Sequence, residues 1–177
     1  DHAFLSVSQI ARDRSGKNSA ARTYDQARSA VDVLVARLEH AGYGAGHRVG
    51  LMLGNDPDHF IWQLALNALG ASAVPLQMEA SAENLAYIVD HVGTGLIVAA
   101  EAAIDVLEQA KHTYGLAARI IKTDQPIPPS LSRPNAEQVP TGSDTEACVL
   151  YTSGTTGKPK GCIISNAYFK QSGRYYA

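Results

Sequence analysis

The sequence predicts an α/β fold, a mostly parallel β-sheet flanked by helices. Three observations predict it. Segments of helical periodicity alternate with short apolar runs from Thr23 to Lys122. Some runs, such as Leu96-Ile97-Val98, are apolar throughout, as strands covered on both faces are. The helices between them are long enough to return the chain for parallel pairing through right-handed crossovers.

The elements follow in order. Thr23-Tyr24-Asp25-Gln26 reads as a capping box, with a threonine oxygen for an orphan amide and a glutamine three residues on to reach back. Ala27, Ala30, Val31, Leu34, Leu38 and Ala41 then recur at helical spacing, with Gly42 beyond the end. Val49 to Leu53 predicts a buried strand. Asp56 is the expected N-cap of the next helix, with Pro57 at its first position. Phe60, Ile61, Leu64, Ala68 and Leu69 mark its face and Gly70 its end, with Phe60 and Trp62 as packing residues. Ala73 to Leu76 predicts a strand. Ser81 caps a helix carrying Leu85, Ile88, Val89 and Val92, closed by Gly93. Leu96 to Ala99 is the next strand, Ala103 to Ala110 a helix, and Arg119 to Lys122 a short strand. Between Asp124 and Pro140 the rhythm breaks. Five of the eight prolines lie there, and proline removes amide donors, so a surface excursion is predicted.

Composition narrows the function. The 177 residues suit one compact domain or a piece of a larger one, with 45% hydrophobic and 18% charged residues. A net charge of -2 and 7% aromatic residues disfavour a nucleic-acid binder. No apolar run approaches the roughly 20 residues of a membrane span. The start, Asp1-His2-Ala3-Phe4-Leu5, shows no signal-peptide pattern. Two cysteines, Cys148 and Cys162, are too few for a disulfide framework, so a reducing, cytoplasmic setting is expected. Both read as buried, inert thiols. The six histidines show no pair at metal-binding helical spacing and read as surface or structural residues. Asp56 and Asp58 read as helix-start residues. Tyr168, Phe169, Tyr175 and Tyr176 are expected on one helix face.

Chemistry converges on Cys148-Val149-Leu150-Tyr151-Thr152-Ser153-Gly154-Thr155-Thr156-Gly157-Lys158-Pro159-Lys160-Gly161-Cys162-Ile163-Ile164-Ser165. An apolar run enters and a β-branched run leaves. Glycines let the backbone approach a ligand closely. Thr152, Ser153, Thr155 and Thr156 supply hydroxyls, Lys158 and Lys160 positive charge, and successive amides can form an anion nest. A glycine-rich turn alone reads as a solvated connection. This density of donors and cations between two apolar strands points instead to a polyphosphate. The pattern is not Walker A: two residues, not four, separate Gly154 from Gly157, and Pro159 follows Lys158.

Tyr151 to Gly161 resembles the phosphate-binding motif of the adenylate-forming superfamily, which comprises acyl-CoA synthetases, peptide-synthetase adenylation domains and luciferases. Two further stretches are similar to family regions. One is Thr23-Tyr24 with Gly46-His47-Arg48-Val49-Gly50 and Asn55; the other is Leu69-Gly70-Ala71-Ser72-Ala73-Val74-Pro75-Leu76. Asp144 is also similar. The resemblance runs from Thr23 onward and is most like an acyl-CoA ligase.

The resemblance implies part of the large N-terminal AMP-binding domain. Residues 1–122 would be its βα repeats, 123–145 a proline-rich connection, and 146–177 the phosphate-loop strands and following helix, with the C-terminal domain absent. It implies ATP, Mg2+ and coenzyme A as cofactors and a carboxylic acid as substrate. Ser153, Gly154, Thr155, Thr156, Gly157 and Lys160 would contact phosphates. Thr152 would serve as a phosphate- or magnesium-side hydroxyl, and Lys158 would have a lesser role. The catalytic lysine of the family would lie beyond the chain, so the fragment is expected to be inactive alone and to need the remainder of its own chain. Asn166 stands where the family often has histidine, and the lead-in Arg12 to Ala21 is shorter than usual. A carrier-protein acceptor, a non-catalytic nucleotide-binding module and a homo-oligomer stay open.

Overall fold

The computed structural model describes residues 3–5, 22–131, 134, 139–140, 142–152 and 158–175. A six-stranded sheet organises them. Its strands are β3 (Arg48–Met52), β4 (Ser72–Pro75), β5 (Leu96–Ala99), β6 (Arg119–Ile121), β7 (Glu146–Thr152) and β8 (Lys160–Ser165). Their spatial order is β6-β5-β3-β4-β7-β8. The first five are parallel, and β8 runs antiparallel to β7. A separate antiparallel pair joins β1 (Ala3–Leu5) to β2 (Arg22–Thr23).

Strand alternation builds two apolar layers. Val49, Leu51, Leu96 and Val98 face one side, where they pack with Leu34 and Leu38 of α1 (Tyr24–His40) and Ile61, Trp62 and Leu66 of α2 (Asp58–Ala68). Met52, Val74, Ile97 and Ala99 face the other, against Leu85 and Val89 of α3 (Ala82–Val92) and Leu107 of α4 (Ile104–Tyr114). This period of two is the reason β5 reads as apolar throughout. The chain moves from β3 to β4 in one direction and from β4 to β5 in the other. One crossover hand then requires α2 and α3 on opposite faces, which is where they lie.

The caps explain where helices begin and end. Gln26 N–H donates to Thr23 Oγ1 at 3.2 Å, and Thr23 N–H donates to Gln26 Oε1 at 3.0 Å, the reciprocal capping box. Ser81 Oγ accepts from Asn84 N–H at 3.3 Å, and α3 closes on Gly93 in the left-handed region, φ 67°. Asp56 does cap locally, its Oδ1 accepting from Asp58 N–H at 2.9 Å, but α2 begins one residue later than predicted, with Pro57 outside it. The buried stripe of α2 also differs. Ile61, Trp62, Ala65 and Leu66 are buried, whereas Phe60 and Leu64 are exposed. The helix is apolar on more than one side, so spacing alone did not select the stripe.

Among the described residues 123–140 there is no helix or strand, yet the excursion is held down. Arg37 donates to Gln125 O and Arg119 to Pro129 O, both at 2.9 Å, and Ser130 N–H donates to Ala41 O at 2.7 Å. His47 is buried beneath it, with Nε2 2.9 Å from Ser130 Oγ and Nδ1 against the Gly44 backbone, a structural role. Gly46 explains part of the Gly-His-Arg-Val-Gly run. Its φ is 81°, and a Cβ there would lie 2.9 Å from both Pro134 Cβ and Val139 Cγ2. No helix among the described residues is long and apolar enough to cross a membrane.

Candidate functional site

The candidate site is the connection between β7 and β8. Seven residues separate Thr152 from Lys160, too few for the dozen or so that a parallel crossover needs, so the strands pair as a hairpin. Cys148 faces Ile164, Leu150 faces Cys162, Tyr151 faces Gly161 and Thr152 faces Lys160. The connection leaves the carboxyl end of β7, and open α/β sheets bind ligands outside the carboxyl ends of their strands.

Thr152 and Lys160 form the last ladder pair and are both exposed, so a hydroxyl and an ammonium stand side by side at the mouth of the connection. Lys158 is exposed too, but it turns aside: its Nζ lies 4.8 Å from the centroid of the Tyr87 ring on α3. Ser153, Gly154, Thr155, Thr156 and Gly157 lie outside the described residues. Asn166 opens α5 (Asn166–Tyr175), its amide donating to Thr145 O at 3.0 Å. Tyr168, Phe169 and Tyr175 are exposed on α5, and Tyr176 lies outside the described residues.

Tyr151, whose strand partner is Gly161, carries the hairpin onto α3. Its hydroxyl is hydrogen-bonded to His91 Nδ1, and its ring meets the His91 ring edge-on, centroids 6.1 Å apart. Burial pushes the Tyr151 phenol above its ordinary value; the Tyr87 phenol adds to this and the Arg48 charge opposes it. His91 stacks on Tyr87, centroids 5.5 Å apart and planes 14° apart. Tyr87 and His91 did not stand out in the sequence as site residues. Their spacing, one helical turn apart on a helix with a buried opposite face, was the available signal.

A cavity of about 610 Å³ lies beside this cluster, lined by Glu83, Tyr87, Asp90, Thr94, Tyr114 and Lys158 among others. Two carboxylates on its wall make it a poor seat for a polyanion. Among the described residues no group of three or more His, Cys, Asp or Glu is placed to hold a metal ion. The two thiols differ. Cys148 is buried, its pKa pushed up to about 11 by burial and by the Glu146 carboxylate. Cys162 is exposed on β8, the outermost strand of the sheet. The expectation of a buried Cys162 is thereby corrected.

The fold defines the class, an α/β domain with a mostly parallel sheet and a donor-rich stretch of sequence after β7. The chain belongs to the AMP-binding enzyme family, whose model matches residues 8–176. It is 31% identical over 170 residues to a component of the linear gramicidin synthase of Brevibacillus parabrevis, covering 91% of this chain and 3% of that protein. It is 28% identical over 160 residues to the mitochondrial malonate–CoA ligase of Xenopus laevis, covering 88% of this chain and 28% of the ligase. Its fold superposes on the luciferase-like enzyme of the mealworm Zophobas morio with a TM-score of 0.73 at 23% identity, covering 88% of this chain and 39% of that one. The chain thus spans well under half of each of these relatives. Both peptide synthetases and CoA ligases occur among them, so a closer likeness to acyl-CoA ligases does not follow.

Proposed function

We propose that this chain supplies the triphosphate-gripping part of an ATP-dependent, AMP-forming enzyme that activates a carboxylic acid. The carboxylate oxygen bonds to the α-phosphorus, the bond from that phosphorus to the bridging oxygen breaks, and pyrophosphate leaves with the electron pair. A thiol then attacks the acyl carbon and AMP leaves. The observation that carries the reading is the pairing of Thr152 with Lys160, both exposed, at the mouth of a segment built from Ser153, Gly154, Thr155, Thr156 and Gly157.

The chemical obstacle is charge, since an anion must approach a polyanion. Preorganised donors and a cation that gain most as pyrophosphate departs lower that barrier. In this reading the hydroxyls and amides of 153–157 hold the β- and γ-phosphates, and Lys160 neutralises charge developing on the leaving group. Mg2+ would arrive with ATP, taking most of its ligands from phosphates and water, so one exposed hydroxyl such as Thr152 suffices on the protein side. When bound, the ion shields the phosphate charge.

The acceptor thiol divides the reading in two. Coenzyme A is the acceptor in the first. The 31% identity to a gramicidin synthase component favours a second, in which a carrier-protein thiol takes the acyl group. The test is exchange of labelled pyrophosphate into ATP by the full-length protein against a panel of carboxylic acids, followed by thioester formation with coenzyme A or with a carrier protein. Acid-dependent exchange is expected; none with any acid would overturn the proposal.

A further inference from the structure

The ring cluster on α3 has a geometry that phosphate binding alone does not require. Tyr87 and His91 stand one turn apart, their rings stacked. Each holds a different foot of the same connection. The foot before it is Tyr151, hydrogen-bonded to His91. The foot after it is Lys158, seated over Tyr87. Gly161 completes the join: a Cβ there would stand 3.1 Å from Tyr151 Cζ, so the ring lies directly on the backbone of the opposite strand. The feet, and not only the strand ladder, are therefore fixed to one rigid helix.

We propose that Tyr87 and His91 are positioning residues for Thr152 and Lys160: by holding Tyr151 and Lys158 against α3 they set where that hydroxyl and that ammonium are presented to a triphosphate. The inference rests on the phosphate-binding reading above. A donor array helps only where its geometry is held. Lys158 then acts as an anchor, its charge held by the face of the Tyr87 ring, which leaves Lys160 as the cation for the ligand.

The test uses the full-length protein and two readouts. One is amide hydrogen exchange, without nucleotide, in peptides covering residues 158–162, where the ladder ends. The other is MgATP affinity by calorimetry. Tyr87→Leu removes the π-face and should speed exchange there and weaken MgATP about threefold to tenfold. Tyr87→Phe keeps the face and should match the wild type in both. Lys158→Met removes the cation without touching the helix and should reproduce the faster exchange, which keeps the test decisive if Tyr87→Leu melts early. Wild-type exchange in both Tyr87→Leu and Lys158→Met overturns the clamp. Failure of the wild type to bind MgATP overturns the functional reading instead, and the exchange data still decide the clamp.

Discussion

Arg48 and Glu146 meet in a two-pronged ion pair that spans β4. Arg48 Nε and Nη2 donate to Glu146 Oε1 and Oε2, both at 2.7 Å. The third guanidinium nitrogen, Nη1, donates to Val92 O at 3.3 Å, at the carbonyl end of α3 where positive charge is favoured. Ser72, between the two strands, donates to the Glu146 carbonyl at 3.0 Å. One arginine thus ties β3, β7 and α3 together at the amino end of the sheet.

Glu146→Gln should cost about 1.5–3 kcal/mol, the range for hydrogen bonds to charged groups, and lower Tm by roughly 3–12 °C at neutral pH. Burial alone would raise the Glu146 carboxyl, but the Arg48 guanidinium outweighs it and holds the carboxyl below its ordinary value. A carboxyl lowered on folding stabilises above its unfolded pKa and loses that contribution as pH falls through the folded one. The Tm difference between wild type and variant should therefore be full at pH 7 and close progressively below pH 4.5. A difference that stays constant down to acid would show that the charge is not what Glu146 contributes.

The two thiols should separate cleanly under a maleimide reagent at pH 8. With its pKa near 11, about one Cys148 in a thousand is thiolate there, and the side chain is also 2% exposed. Cys162 is exposed. Intact-mass analysis of this chain should show one adduct in native buffer, on Cys162, and a second only after denaturant. Two adducts in native buffer would mean that β7 opens readily.

How far the sequence speaks depends on whether local chemistry or tertiary contact decides. The α1 capping box was legible because Thr23 and Gln26 satisfy each other within four residues. β5 was legible because both its faces are buried, so every position from Leu96 to Ala99 is apolar. The stripe of α2 was not, since two apolar faces compete on one helix and only the sheet chooses between them. The same holds at the site. The donor-rich segment announces itself, but the parking of Lys158 on Tyr87 and the exposure of Cys162 depend on what lies beside the hairpin.

Lys160→Ala separates function from stability. The side chain is exposed at the start of β8, and an exposed lysine contributes little to folding. In the full-length protein, loss of one transition-state donor should slow acid-dependent pyrophosphate exchange on the order of 10²–10³-fold, with Tm essentially unchanged. Exchange at the wild-type rate would remove Lys160 from the phosphate site.

Gly161→Ala probes the join from the strand side. Gly161 owes its identity to space: a Cβ would sit 3.1, 3.2 and 3.3 Å from Tyr151 Cζ, Oη and Cε2. The ring cannot rotate away freely, because its hydroxyl is held by His91. The substitution should therefore displace Tyr151, break that hydrogen bond and cost about 1–3 kcal/mol, as overpacking does. Removing the ring removes the conflict, so Gly161→Ala in a Tyr151→Ala background should cost much less than in the wild type. Thermal melts of the four proteins give the coupling directly. If Gly161→Ala costs the same with and without the ring, the contact with Tyr151 is not what excludes a side chain at this position, and the hairpin owes its seat on α3 to something other than that ring.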